Sequence, residues 1–253
     1  MTINPDVPHR RGSGNGRPPA FNIPGVVLAV ILLLAAVHLG RTQLIGPVMD
    51  DRLIADLAFI PACYSQPCEV LFGRPNGALL WSPLSHALLH GDWTHFGLNA
   101  IWLLAFGSPV ARRIGSVRFL GFVVGGALAG AAAFFLLNPT LMEPVIGASG
   151  VVSALMGGAC RFAFSGLQRR AATSATSVRL SLGQALSDRT ILFFILVFFA
   201  TNLLTGTALG GYVSGGAQIA WEAHIGGFLF GFLAFALFDR PPVRPASILT
   251  PPA

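Results

Sequence analysis

Gly147-Ala148-Ser149-Gly150-Val151-Val152-Ser153-Ala154-Leu155-Met156-Gly157 is the stretch on which the fold turns. It begins with small residues around a serine hydroxyl and then runs without a charge to Arg161. Small residues of this kind let membrane helices approach one another closely. Ser149 is placed to open such a helix, where free backbone N–H groups point outward and favour negative charge. Gly147 and Gly150 leave room for another backbone to come near.

Five similar apolar segments accompany it. The set covers about 22–40, 92–111, 117–137, 147–167, 190–206 and 217–238, the fifth being the shortest. Most approach the roughly 20 residues that a helix needs to cross a bilayer. The expected fold is therefore an all-α membrane protein, a polytopic bundle of six transmembrane helices over residues 21–240. Residues 1–20, rich in Gly, Pro and Arg, read as a disordered cytoplasmic tail. Residues 241–253 read as a second disordered tail, with five prolines. The first apolar run lacks a small-residue cleavage site and reads as a retained span.

Composition agrees. Of 253 residues, 53% are hydrophobic and 10% are charged, against about 25% charged in soluble domains. The basic residues are all arginine. Arginine richness can signal nucleic-acid binding, but here the arginines stand between apolar runs, so no nucleic-acid partner is expected and they read as topology markers. Arg10, Arg11 and Arg17 precede the first span, Arg112, Arg113 and Arg118 lie between the second and third, and Arg169, Arg170, Arg179 and Arg189 between the fourth and fifth. Arg240 and Arg244 follow the sixth. The 138–146 and 207–216 connections have no arginine, and the 41–91 connection offsets Arg41, Arg52 and Arg74 with Asp50, Asp51, Asp56 and Glu69. This alternation puts both termini in the cytoplasm and loops one, three and five outside. Cys160 reads as a small packing residue. Cys63 and Cys68 share the first loop and can pair if it faces an oxidising compartment.

Polar groups inside spans are costly and often functional. His95 and Asn99 stand on span two, Ser149 on span four and His224 on span six. Arg112, Arg161 and Arg240 serve as cytoplasmic markers, at roughly 20 Å from Asn99, 18 Å from Ser149 and 24 Å from His224 along a helix. In a hydrocarbon core of about 30 Å, these groups share one layer about 6–12 Å below the outer face. His95 and Asn99, four residues apart, share a helix face. A serine can attack a carbonyl while a histidine takes its proton, and further donors can hold the oxyanion. Glu222 falls on nearly the opposite helix face from His224 and Asp92 lies at the top of span two, so a Ser–His dyad is expected rather than a triad. The His86-x-x-x-His90 pair has zinc-site spacing but lacks the glutamate of H-E-x-x-H. No metal or cofactor is expected, and the pair reads as packing the first loop onto the bundle. Gly126-x-x-x-Gly130 and Gly227-x-x-x-Gly231 read as helix-packing faces.

Taken in order, His86-x3-His90-x4-His95-x3-Asn99, the Gly147–Gly157 run, and Ala223-His224-x2-Gly227-x3-Gly231 resemble the rhomboid intramembrane serine proteases. The resemblance implies Ser149 as nucleophile, His224 as general base and acid, and an oxyanion hole of His95, Asn99 and the Ser149 backbone N–H. It implies membrane-protein substrates cut in or near their spans, and Gly147, Gly150 and Gly227 as motif support. It also implies a bacterial inner membrane, with the site opening to the periplasmic side. Two positions depart from familiar bacterial members. Ser82 follows Trp81 where they have Arg, and Ser153 stands where they often have a Tyr stacked on the catalytic His. The Gly-rich 206–216 stretch is expected to cap the cavity, with span five moving beside it. The rival readings are a non-catalytic protein that binds transmembrane segments and a small transporter. The absence of Asp or Glu in mid-span counts against the transporter.

Overall fold

A computed structural model describes residues 23–68, 73–75, 77–164, 178–206 and 219–239. The two expected tails, 1–20 and 241–253, and the expected 206–216 cap apart from Gly206 therefore lie outside the described residues. The fold is all-α. Among the described residues the extended pairing is an isolated antiparallel bridge between Phe59 and Val145.

Helix α1 spans Gly25–Leu39 and continues as a π-helical turn, Gly40–Leu44. The first loop holds α2, Pro47–Leu57, which starts on a proline whose fixed φ suits a first helical turn. It also holds α3, Ala78–Ser85. Span two is a column of α4, Trp93–Trp102, a π-helical turn, Leu103–Gly107, and α5, Ser108–Ile114. Gly115 then turns the chain at φ 79° into α6, Ser116–Leu137. The remaining helices are α7, Ser149–Ala159, α8, Leu182–Ser187, α9, Arg189–Gly206, and α10, Trp221–Phe238.

The segments from Gly25 to Leu44, α6, α9 and α10 are long and apolar enough to cross a membrane. Span four is the correction. Among its described residues, 147–164, the apolar run 147–167 has 11 helical residues, Ser149–Ala159, or about 16 Å, so its helix is shorter than that of the fifth. Hydropathy registers the whole run, but the helix begins after Gly147, at φ 123°, and gives way to turns after Ala159.

Helix α7 is the centre of the bundle, buried from Gly150 through Ala159. Glycine makes this possible. A Cβ on Gly227 would overlap the Gly150 carbonyl, one on Gly231 the Ala154 carbonyl, and one on Gly157 the Phe228 carbonyl. On α6, a Cβ on Gly126 would stand 2.7 Å from the Ala154 Cβ, and one on Gly130 3.0 Å from the Ala223 oxygen. Both expected small-residue faces therefore pack helices backbone to backbone. The phenylalanines divide: Phe193 is exposed, whereas Phe198 stacks on Phe228 with ring centres 4.5 Å apart.

The two ends of the bundle differ. At one end the first loop meets the 138–146 loop through the Phe59–Val145 bridge and the Ala62 N–H to Leu141 carbonyl bond. Cys63 and Cys68 are joined as a disulfide there. The Arg41 guanidinium donates to both Asp50 carboxylate oxygens, at 2.7 and 3.0 Å, and to the His90 carbonyl at 2.9 Å, tying the end of span one to this loop. At the other end, Arg113 donates to both Asp239 carboxylate oxygens at 2.9 and 3.0 Å. Arg161 is a second correction. It is not a solvated marker but is buried just past α7, where it donates to the Phe232 carbonyl at 2.6 Å and to the Leu180 carbonyl. A guanidinium carries several donors, and here they satisfy main-chain acceptors inside the bundle rather than reaching for water.

Candidate active site

The serine comes to its place through local backbone geometry. Gly147 adopts φ 123°, a region that side-chain-bearing residues rarely enter. A Cβ there would also stand 2.8 Å from the Cε1 and Nε2 atoms of His95. The Gly147 N–H donates to the His86 carbonyl at 2.9 Å, so the first loop holds the approach to the serine. Ser149 is the first residue of α7. The N–H groups of a helix's first turn have no acceptor within the helix, and the helix dipole adds positive potential there.

Span two brings two donors. Asp92 caps α4, its Oδ1 accepting the His95 N–H at 2.8 Å. The Gly91 N–H donates to His95 Nδ1 at 3.4 Å. That contact leaves the ring proton on Nε2, the nitrogen nearest Gly147. Asn99 is buried, and its amide nitrogen donates to the His95 carbonyl at 2.9 Å. An amide nitrogen has a second hydrogen to offer.

Helix α10 brings His224 within its first turns. Its Nδ1 lies 2.6 Å from Asn202 Oδ1 on α9. Glu222 is engaged elsewhere, its Oε1 accepting from Asn138 at 3.0 Å. Ser149, His224, His95 and Asn99 all line one cavity of about 1090 Å³. Ser149 and His224 share this wall without a hydrogen bond between them among the described residues. Catalytic hydrogen bonds of this kind often form only once substrate is bound. A hydroxyl, an imidazole and two side-chain donors beside a helix N-terminus are the parts of an acyl-transfer site.

Of the departures, Ser153 is buried and lines the same cavity. Ser82 is buried in the first loop, as is Arg74, whose guanidinium donates to the Ala58 carbonyl at 2.9 Å. Asn202 and His38 are polar residues of the spans that are absent from the set read from sequence. Asn202 carries the one side-chain amide in an α9 run of apolar residues and threonines, and that is the signal that marks it. His38 is buried on α1 with its ring 4.5 Å from that of Trp93. Burial pulls two loop histidines well below the ordinary value of 6.5, His86 to about 4 and His90 to about 3. Both therefore pack as neutral rings.

Residues 78–240 match the rhomboid domain. The chain is similar to rhomboid protease GlpG of Haemophilus influenzae, 31% identical over 209 residues that cover 81% of this chain and 88% of that protein. It is similar to rhomboid protease GluP of Bacillus subtilis, 28% identical over 177 residues covering 68% of this chain, and spans only 30% of that longer protein. Rhomboid-related protein 3 of Homo sapiens is 34% identical over 79 residues, 31% of this chain and 19% of that protein. A domain match running from the first loop to the end of α10, with a bacterial relative aligned over most of both chains, means that this chain belongs to the rhomboid family of proteases.

Proposed function

We propose that this multi-pass membrane protein is a serine endopeptidase that hydrolyses peptide bonds in or near the transmembrane segments of other membrane proteins. The observation that carries the reading is convergence. Ser149, His224 and the His95/Asn99 pair come from three different helices to one cavity. In this mechanism the Ser149 hydroxyl attacks the scissile carbonyl carbon while its proton passes to His224. The carbonyl oxygen becomes an oxyanion, received by His95 Nε2–H, the free Asn99 hydrogen and the Ser149 N–H. His224 then protonates the leaving amine as the C–N bond breaks. Water, deprotonated by the same ring, hydrolyses the acyl-enzyme and restores the serine. The chemistry uses no metal or cofactor.

The arginine pattern supports an orientation with both termini cytoplasmic and the cavity opening outward, in a bacterial inner membrane. The Cys63–Cys68 bridge at the cavity's end of the bundle supports the same orientation, since such bonds persist in oxidising compartments.

The test is cleavage of a single-span model substrate in vesicles by wild type, Ser149→Ala and His224→Ala, each with and without a chelator. Wild type is expected to cut with chelator present, and both variants are expected to lose activity. Cleavage by Ser149→Ala at the wild-type rate would remove the nucleophile assignment, and chelator-sensitive cleavage would point to a metal mechanism instead.

A further inference from the structure

One side chain from another helix fixes the orientation of His224. Asn202 Oδ1 on α9 lies 2.6 Å from His224 Nδ1 on α10. The other end of this amide is anchored, because Nδ2 donates to the Phe198 carbonyl at 2.8 Å, one turn back on α9. Asn202 is buried at the wall of the cavity, with 8% of its surface exposed. The amide therefore turns its oxygen to the imidazole. An oxygen of this kind only accepts, so Nδ1 must carry the hydrogen. In the neutral ring Nε2 is then the unprotonated nitrogen, the one able to accept a proton.

We propose that Asn202 is a positioning residue for His224, holding the imidazole in the Nδ1-protonated tautomer and leaving Nε2 to receive the Ser149 proton. The proposal rests on the Ser149–His224 chemistry given above. Two neighbouring observations support it. The residue four positions after Ser149 is the buried Ser153, which has no ring to stack on His224. Glu222, the acid nearest in sequence, is bonded to Asn138. The amide orients the ring without placing a carboxylate inside a span, where charge is costly.

The protons balance without a net change at Asn202. The Ser149 proton moves to Nε2, giving an imidazolium whose Nδ1–H remains donated to Asn202 Oδ1. The Nε2 proton then leaves with the amine, and the ring returns to the same neutral tautomer.

The experiment compares full-length wild type, Asn202→Leu and Asn202→Asp in vesicles with the single-span substrate, alongside Ser149→Ala and His224→Ala. Asn202→Leu is expected to lower kcat by about 10–100-fold, the usual cost of losing an orienting partner, while KM stays near wild type. Asn202→Asp keeps an acceptor oxygen and is expected to recover most of the lost kcat. In wild type with ¹⁵N-labelled histidine, the His224 signals are expected to report hydrogen on Nδ1. Wild-type kcat in Asn202→Leu, a loss confined to KM, or an Nε2-protonated His224 in the wild-type protein would each overturn the proposal. The nitrogen spectrum of wild type decides the matter even if Asn202→Leu does not fold. If Ser149→Ala and His224→Ala are inactive while Asn202→Leu keeps its kcat, positioning fails and the protease reading stands. If Ser149→Ala and His224→Ala cleave like wild type, both fail.

Discussion

Gly231→Ala tests whether helix packing sets the geometry of the site. A methyl at this position would overlap the Ala154 carbonyl oxygen and stand 2.6 Å from the Ala154 carbonyl carbon and 2.9 Å from its Cα. Carbon atoms pack at about 3.5–4.0 Å. The obstacle is main chain, which has no rotamer to yield, so α7 and α10 must separate by about 1 Å. Overpacking of this sort costs about 1–3 kcal/mol, offset by about 1 kcal/mol from the better helix propensity of alanine. The expected result is a net loss of up to about 2 kcal/mol in unfolding free energy. His224 lies two turns before Gly231 on the same helix, and Ser149 opens the helix it pushes against. A misplacement of about 1 Å between reacting groups can cost about 10²-fold in rate. Turnover is therefore expected to fall far more than stability alone explains. The assays are denaturant unfolding in mixed micelles and initial cleavage rates in vesicles below the unfolding midpoint. Gly121→Ala on α6 is the control, since its nearest neighbour, the Phe238 ring at 3.5 Å, is at ordinary contact distance. Wild-type stability and turnover in Gly231→Ala would refute the packing argument. Lost stability with intact turnover would refute the link from packing to the site.

Three further outcomes are expected. His86 and His90 are held neutral by burial, with values of about 4 and about 3 against 6.5 in the unfolded chain. Their stabilisation is complete above pH 6.5 and is lost as pH falls toward those values; His86 alone removes on the order of 3 kcal/mol by pH 4. Unfolding followed across this range checks it, with His86→Gln expected to flatten the dependence. Asp239→Ala removes the carboxylate that pairs with Arg113 at 2.9 Å, both side chains being about nine-tenths buried or more. It is expected to lower stability by about 3 kcal/mol, because breaking a buried pair leaves charge uncompensated; an unchanged unfolding curve would contradict this. Reducing the Cys63–Cys68 bridge opens a short loop with a sequence separation of 5. That is expected to cost about 2 kcal/mol, seen as a lower unfolding midpoint in reductant that Cys63→Ser reproduces.

Much of the architecture is legible in the chain because burial in a bilayer is a demand on local composition. Each apolar run is visible in the sequence, and each has a helix in the fold. The i, i+4 spacing of His95 and Asn99 puts both on one face of α4, where both line the cavity. The small residues at 126/130 and 227/231 can be read as packing faces because only they let helix backbones meet. The length of α7 is not legible in the same way. Residues 160–167 are as apolar as a helix requires, yet the helix ends at Ala159. The inward turn of Arg161 toward carbonyls of Phe232 and Leu180 likewise depends on segments remote in sequence.

Asn202 marks the boundary most clearly. The sequence determined that a serine, two histidines and an asparagine would sit in apolar helices, because hydrophobicity and polarity are properties of each segment taken alone. It could not say which of them meet. Asn202 and His224 are separated by 22 positions and lie on different helices, and their 2.6 Å contact exists only because α9 packs beside α10. The sequence by itself pointed to the family, the apolar runs and the candidate site residues. The tertiary structure decided the short central helix, the buried arginine and the partner of His224, since each depends on distances between helices that no local pattern encodes.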